Sequence, residues 1–196
     1  MIDSFDSIIF SRKDITSIVI PKCIKHISSF AFNECSLLEV VKFEQDSKLE
    51  IINDNAFSKS KIEKIVFPQN LVWIGQSAFQ NCVNLKVADF SNCSKLITID
   101  RFAFSGSLIE NIIIPTNVKN IGESAFSPCK CLKTFTFSKG SELKRITQQM
   151  LSQSSIECIT LPPSVSIIEK NAFYGCIKLK EIKITDDSNL NCIQED

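Results

Sequence analysis

Nine cysteines and one histidine, His26, are the residues of this 196-residue chain best equipped for chemistry. Thiolates and imidazole bind zinc, and a thiol beside an imidazole makes a nucleophile. The spacing argues against both. Cys23-x-x-His26 is an isolated pair and Cys129-x-Cys131 supplies no second cluster, whereas zinc needs three or four converging ligands. Any Cys–His or Ser–His dyad would have to use His26, and no nucleophile motif surrounds a cysteine or serine. Five glycines form no phosphate-binding loop. No carboxylate pair is signalled. The expectation is a non-enzymatic protein with no metal and no cofactor.

Four of the cysteines carry a different message. Cys35, Cys82, Cys129 and Cys176 stand 47 residues apart, and midway between them the same slot holds Ser60, Ser107 and Ser154. A slot that takes only small side chains reads as packing in a tight turn. If the units stack as parallel strands ~4.8 Å apart, cysteines two layers apart are roughly 9.5 Å or more from each other. A disulfide needs Cα atoms within ~4.4–6.8 Å. Nothing supports a bridge among Cys23, Cys93, Cys131, Cys158 and Cys192 either.

The elements that place these residues are repeats. An Ala-Phe pair recurs at 31–32, 56–57, 78–79, 103–104, 125–126 and 172–173, in steps of 25 and 22 residues, with Met150-Leu151 in a degenerate slot and Ile9-Phe10 at the N-terminal end. A fixed period near 23 is the mark of a solenoid. Pro21, Pro68, Pro115 and Pro162 keep the same 47-residue step as the cysteines, as do Ser47, Ser94, Ser141 and Ser188, so the unit is a double coil. Two patterns alternate. Ile15-x-x-Ile18-x-Ile20 recurs from Ile62, Ile109 and Ile156, each copy closed by the proline; Leu38-x-x-Val41-x-Phe43 recurs from Leu85, Leu132 and Leu179. Their in-out-in endings and β-branched or aromatic residues predict eight parallel strands. A proline after the strand stops it, having no N–H for the ladder. Gly75 and Gly122 suggest a turn with positive φ. Around each Ala-Phe a single turn of α or 3₁₀ helix is expected, with Phe10, Phe32, Phe57, Phe79, Phe104, Phe126 and Phe173 stacked in the core.

Ile114-Pro-x-x-Val118-x-x-Ile121-Gly122-x-x-Ala125-Phe126-x-x-Cys129-x-x-Leu132 closely resembles the BspA-like class of leucine-rich repeats, and residues 67–85 follow it nearly as well. Residues 20–38 and 161–179 match with the glycine slot altered, so the likeness covers essentially the whole chain. The resemblance implies an α/β leucine-rich-repeat solenoid of about eight coils, with a parallel sheet on its concave face and turns or single helical turns opposite. It also implies protein–protein recognition of the cell-surface adhesion or antigen type, and no catalytic residues.

On such a sheet the outward row is Val19, Lys42, Val66, Asp89, Ile113, Thr136, Thr160 and Lys183, the candidate binding face. Val19, Val66 and Ile113 between charges would suit a protein partner, as apolar anchors in a polar rim. They equally suit a solvated strand face. Twenty-two basic residues balance twenty-two acidic ones, so no net field draws nucleic acid or an anionic membrane. No apolar run reaches the ~18 residues of a membrane span. The start, Met1 to Asp6, does not read as a signal peptide. That absence and the thiols keep an intracellular scaffold or regulatory protein as the alternative, and a spacer in a longer surface protein as a third. Asn92-Cys93-Ser94 is a glycosylation sequon that matters only in a secreted chain. The expected domain is single, 1–196, and uncapped at both ends. Met1 and Ile2 fall mid-coil, in the slots of Lys48 and Leu49, and Asp196 stops just short of the next Ala-Phe slot. Both fit a fragment or a piece that pairs end to end.

Overall fold

The alternating patterns build one row of longer strands. In the computed structural model, which describes residues 4–5 and 14–195, these are Ser17–Ile20, Val40–Phe43, Lys64–Val66, Val87–Asp89, Asn111–Ile114, Thr134–Phe137, Cys158–Thr160 and Glu181–Lys183. All pair in parallel, with Val19 opposite Lys42, Val66 opposite Asp89, Ile113 opposite Thr136 and Thr160 opposite Lys183. Ile9, Phe10, Met1, Ile2 and Asp196, placed in the repeat register by sequence, lie outside the described residues.

A second row was not foreseen. Two-residue strands recur once per coil: Ser4–Phe5, His26–Ile27, Ile51–Ile52, Trp73–Ile74, Thr98–Ile99, Asn120–Ile121, Arg145–Ile146, Ile167–Ile168 and Cys192–Ile193. The isoleucine at the second position of each, from Ile27 to Ile168, is buried. Too short to show an alternation, these pieces read in sequence only as isolated apolar residues.

The expected α/β architecture is wrong: no helix occurs among the described residues, and the solenoid is purely β. The Ala-Phe corner shows why. The amides of Phe30, Phe32 and Glu34 donate to Asp54, Ala56 and Ser58 of the next coil, while those of Ala31, Asn33 and Cys35 donate three residues back within the turn. Asn55 to Ser60 and Ser77 to Cys82 repeat this alternation. Every second amide is thus committed to a neighbouring coil and cannot enter a helical ladder. The residue just before the Ala-Phe slot is left-handed in each described coil: Phe30, Asn55, Ser77, Phe102, Ser124, Gln149 and Asn171 have φ of 54–61°. A right-handed helix cannot pass through such a residue.

The glycine expectation also needs correcting. Positive φ falls at Ser77 and Ser124, not at Gly75 and Gly122. Those glycines are required by proximity. A Cβ on Gly75 would lie 2.8 Å from the Asp54 amide nitrogen, and one on Gly122 would lie 2.7 Å from the Asp100 carbonyl carbon.

Inside the corners the Phe column forms as expected from Phe32 to Phe126, while Phe173 is half-buried against the core outside the ring stack and Phe10 lies outside the described residues. Phe32, Phe57, Phe79, Phe104 and Phe126 stack face to face with centroids 5.0–5.4 Å apart. Phe67 and Phe90 stack on each other and meet the column edge-on. Beyond Phe126 the regularity breaks. Met150 and Leu151 fill the next slot and are fully buried. The short-strand row divides between Asn120–Ile121 and Arg145–Ile146, and the long row divides between Thr134–Phe137 and Cys158–Thr160. The long row also divides earlier, after Val87–Asp89. Pro128, joined to Ser127 by a cis bond, occupies the slot of Glu34, Lys59 and Asn81 but has no amide to send to the next coil. In the last layer the inward positions open to solvent: Ile182, Ile184 and Ile193 are exposed.

Phe79 touches stacked rings on both sides. Phe79→Ala should lower the unfolding free energy by about 3–5 kcal/mol, measured by urea denaturation. An unchanged midpoint would remove the column from the core.

Candidate functional site

Because strand residues alternate sides, every second residue of the long row faces out. All eight candidates do so: Val19, Lys42, Val66, Ile113, Thr136, Thr160 and Lys183 are exposed and Asp89 is half-buried. Val19, Val66 and Ile113 are 56%, 38% and 64% exposed, large values for β-branched side chains in a sheet. The flanking outward row adds exposed Val40 and Val87.

The structure brings part of this row together in two adjoining grooves. One, of about 790 Å³, is lined by Val40, Lys42, Lys64 and Val66 among others. The second, of about 520 Å³, includes Val87, Asp89 and Ile113. Asn92, the sequon asparagine, lies on the shared border and is exposed. Val19, Thr136, Thr160 and Lys183 lie outside both grooves. The Ser91 amide donates to Asp89 Oδ1 at 2.9 Å. That bond, with a smaller contribution from Lys64, holds the Asp89 carboxyl below the usual carboxylate range.

Sequence reasoning missed the groove's ends. Glu39 and Glu63 precede their strands, and Glu44 and Asp46 follow theirs; all four are exposed and line the larger groove. The signal was present in the second slot of the strand pattern, where Glu39 and Glu63 are followed by an alternation of Lys86, Glu110, Lys133, Glu157 and Lys180. In the later coils this slot is neutralised one coil to the next, Lys133 with Glu110 at 3.2 Å and Lys180 with Glu157 at 3.6 Å.

The cysteine slot is a buried ladder. The Cys82 thiol donates to the Phe57 carbonyl at 3.1 Å, and Ser60 Oγ lies 3.3 Å from its sulfur. Cys129 repeats this with Phe104 and Ser107, and Cys176 with Leu151 and Ser154. With the S–H given to a carbonyl, the serine hydroxyl donates to sulfur. Turn packing is therefore hydrogen bonding as well. Burial pushes the Cys82 and Cys93 thiols up to about 12 and Cys129 up to about 11. No disulfide links the described residues, and among them no three His, Cys, Asp or Glu side chains converge as a metal ion requires.

Parallel rows of short strands, a one-coil repeat and an outward face of variable residues define a leucine-rich-repeat solenoid, a fold consistent with protein–protein recognition. The chain belongs to the BspA type leucine rich repeat family, whose model matches in six copies over residues 3–107 and 97–196. Comparison with curated proteins finds no match. Among solved structures, the chain is similar to the pneumococcal vaccine antigen PcpA, with TM-score 0.62 and 24% identity over 92% of this chain and 62% of that one. It is also similar to a leucine-rich repeat protein from Eubacterium ventriosum, with TM-score 0.60 and 22% identity over 87% of this chain and 49% of that one. The chain thus spans less than two thirds of either structure's length, and these likenesses establish the fold. No helix of the described residues is long and apolar enough to cross a membrane.

The thiols should divide by exposure. Alkylation of the native protein, read by mass spectrometry, should label Cys23 and Cys158 quickly and leave Cys82, Cys93 and Cys129 unlabelled until unfolding. Because the buried thiols are raised above an unfolded value near ~9, their contribution to stability is whole below that pH. It is lost as pH climbs toward the folded values, by up to about 1.4 kcal/mol per pH unit for each. Cys82→Ser should therefore show a shallower alkaline fall in urea midpoint than wild type.

Proposed function

We propose that the long-strand face is the recognition surface for a protein partner, in a protein displayed or secreted for adhesion or as an antigen. One observation carries this: exposed Val66 and Ile113 sit in adjoining grooves, with exposed Val19 in the same row. An exposed apolar set ringed by charges is the composition of an interface centre and rim. The family fold and the description of one structural relative as a vaccine antigen support the extracellular part of the reading.

A second reading is an intracellular scaffold. It is favoured by nine cysteines without a disulfide, two of them exposed, a pattern native to reducing compartments.

Surface biotinylation of intact cells separates the two. Labelling of the intact cells supports display, and labelling only after lysis supports the scaffold. For the face itself, a photo-crosslinker at Ile113 should capture a discrete partner that one at Gln76, exposed but outside both grooves, does not. Val66→Ser with Ile113→Ser should weaken that complex about tenfold or more while leaving the melting curve within a few degrees. Unchanged affinity with an unchanged fold would place recognition elsewhere.

A further inference from the structure

We infer that the larger groove takes a basic-apolar polypeptide segment: apolar side chains set on Val40 and Val66, with Lys or Arg side chains reaching the acidic ends. The inference rests on the reading of the long-strand face as the recognition surface and names the chemistry of its partner.

The charge is local. The chain as a whole is neutral, yet the groove holds four carboxylates, Glu39, Glu44, Asp46 and Glu63, against two ammonium groups, Lys42 and Lys64. Lys64 is close enough to Asp89 to lower its carboxyl. No ion pair joins the four carboxylates to a described residue; Glu44 accepts the backbone amide of Lys22, at 2.8 Å.

The arrangement differs from the rest of the solenoid. From Glu110 onward the slot of Glu39 and Glu63 pairs acid with base between neighbours, Lys133 with Glu110 and Lys180 with Glu157. Glu39 and Glu63 carry like charges on adjacent coils, whose backbones lie about 4.8 Å apart. Like charges so placed destabilise the free protein slightly, and a cation between them relieves the repulsion. The acids bracket the strands. From Glu39 to Glu44 is five residues, roughly 16 Å of extended chain. A segment crossing the strands would have Val40 and Val66 beneath it, beside Lys42 and Lys64, and carboxylates at the strand ends on either side. Nucleic acid and anionic membrane surfaces would be repelled here.

The test uses two short fluorescein-labelled peptides, one alternating Lys and Val and one alternating Glu and Val, followed by fluorescence anisotropy with the full chain. The Lys–Val peptide should bind and the Glu–Val peptide should not. Affinity for the Lys–Val peptide should fall about fivefold in Glu39→Gln with Glu63→Gln, and further as salt rises from about 0.05 to 0.5 M. Both substitutions are on exposed side chains, and the melting temperature checks the fold. Equal binding of both peptides, or affinity unmoved by the glutamine pair, overturns the acidic selection. If Val66→Ser with Ile113→Ser still weakens binding in that case, the face reading stands without it. Binding of neither peptide overturns the basic-apolar assignment, while the crosslinking at Ile113 judges the face independently.

Discussion

The whole structure hangs on how backbone amides are shared at the Ala-Phe corner. Three amides per regular coil reach across to the next coil and three close the turn behind them, in strict alternation. The crossing bonds set the spacing at which phenylalanines stack, 5.0–5.4 Å. They bring coils close enough that only glycine fits against the Asp54 amide and the Asp100 carbonyl. The same spacing lines up the long strands, and so lays the outward residues in columns. Left-handed residues at these corners are individually unfavourable. They persist because the alternation demands them, and the amides they direct outward find carbonyls.

Much of this was legible. Pro, Cys and Ser at 47-residue intervals established the double coil, and in-out-in triplets located every long strand. The outward candidates followed from the period of two alone, which is why all eight face outward. What was not legible has physical causes. A corner of alternating right- and left-handed residues has the same apolar spacing as a helical turn, and φ is silent when Ser, Asn, Gln or Phe takes the left-handed position instead of Gly. Two-residue strands offer no alternation to count. Grooves depend on which neighbouring residues lie between coils, so the slot of Glu39 and Glu63 can be read from the repeat, but its place at the groove's end only from the stacked coils.

The cysteine slot shows how a side chain can look functional and be architectural. Its alternation with serine suggested tolerance of small groups. In the folded chain the two residues are partners: serine hydroxyl to sulfur, thiol to the phenylalanine carbonyl. Neutral donors suit this site because a thiolate there would be deprived of water. A double coil is thus the smallest unit in which both members of the pair occur, which accounts for the 47-residue step of the cysteines.

Solenoids behave as linear arrays in which each unit is steadied only by its neighbours. Here the array is not uniform. Between residues 121 and 145 the short row parts, the ring stack ends at Phe126, and Pro128 deletes a rung. One junction is weaker than the rest by several measures at once. Cooperativity follows junction strength, so the molecule is partitioned into two blocks of order. The acid-rimmed groove lies wholly in the block with the continuous aromatic stack, so opening of the far block would leave the groove assembled.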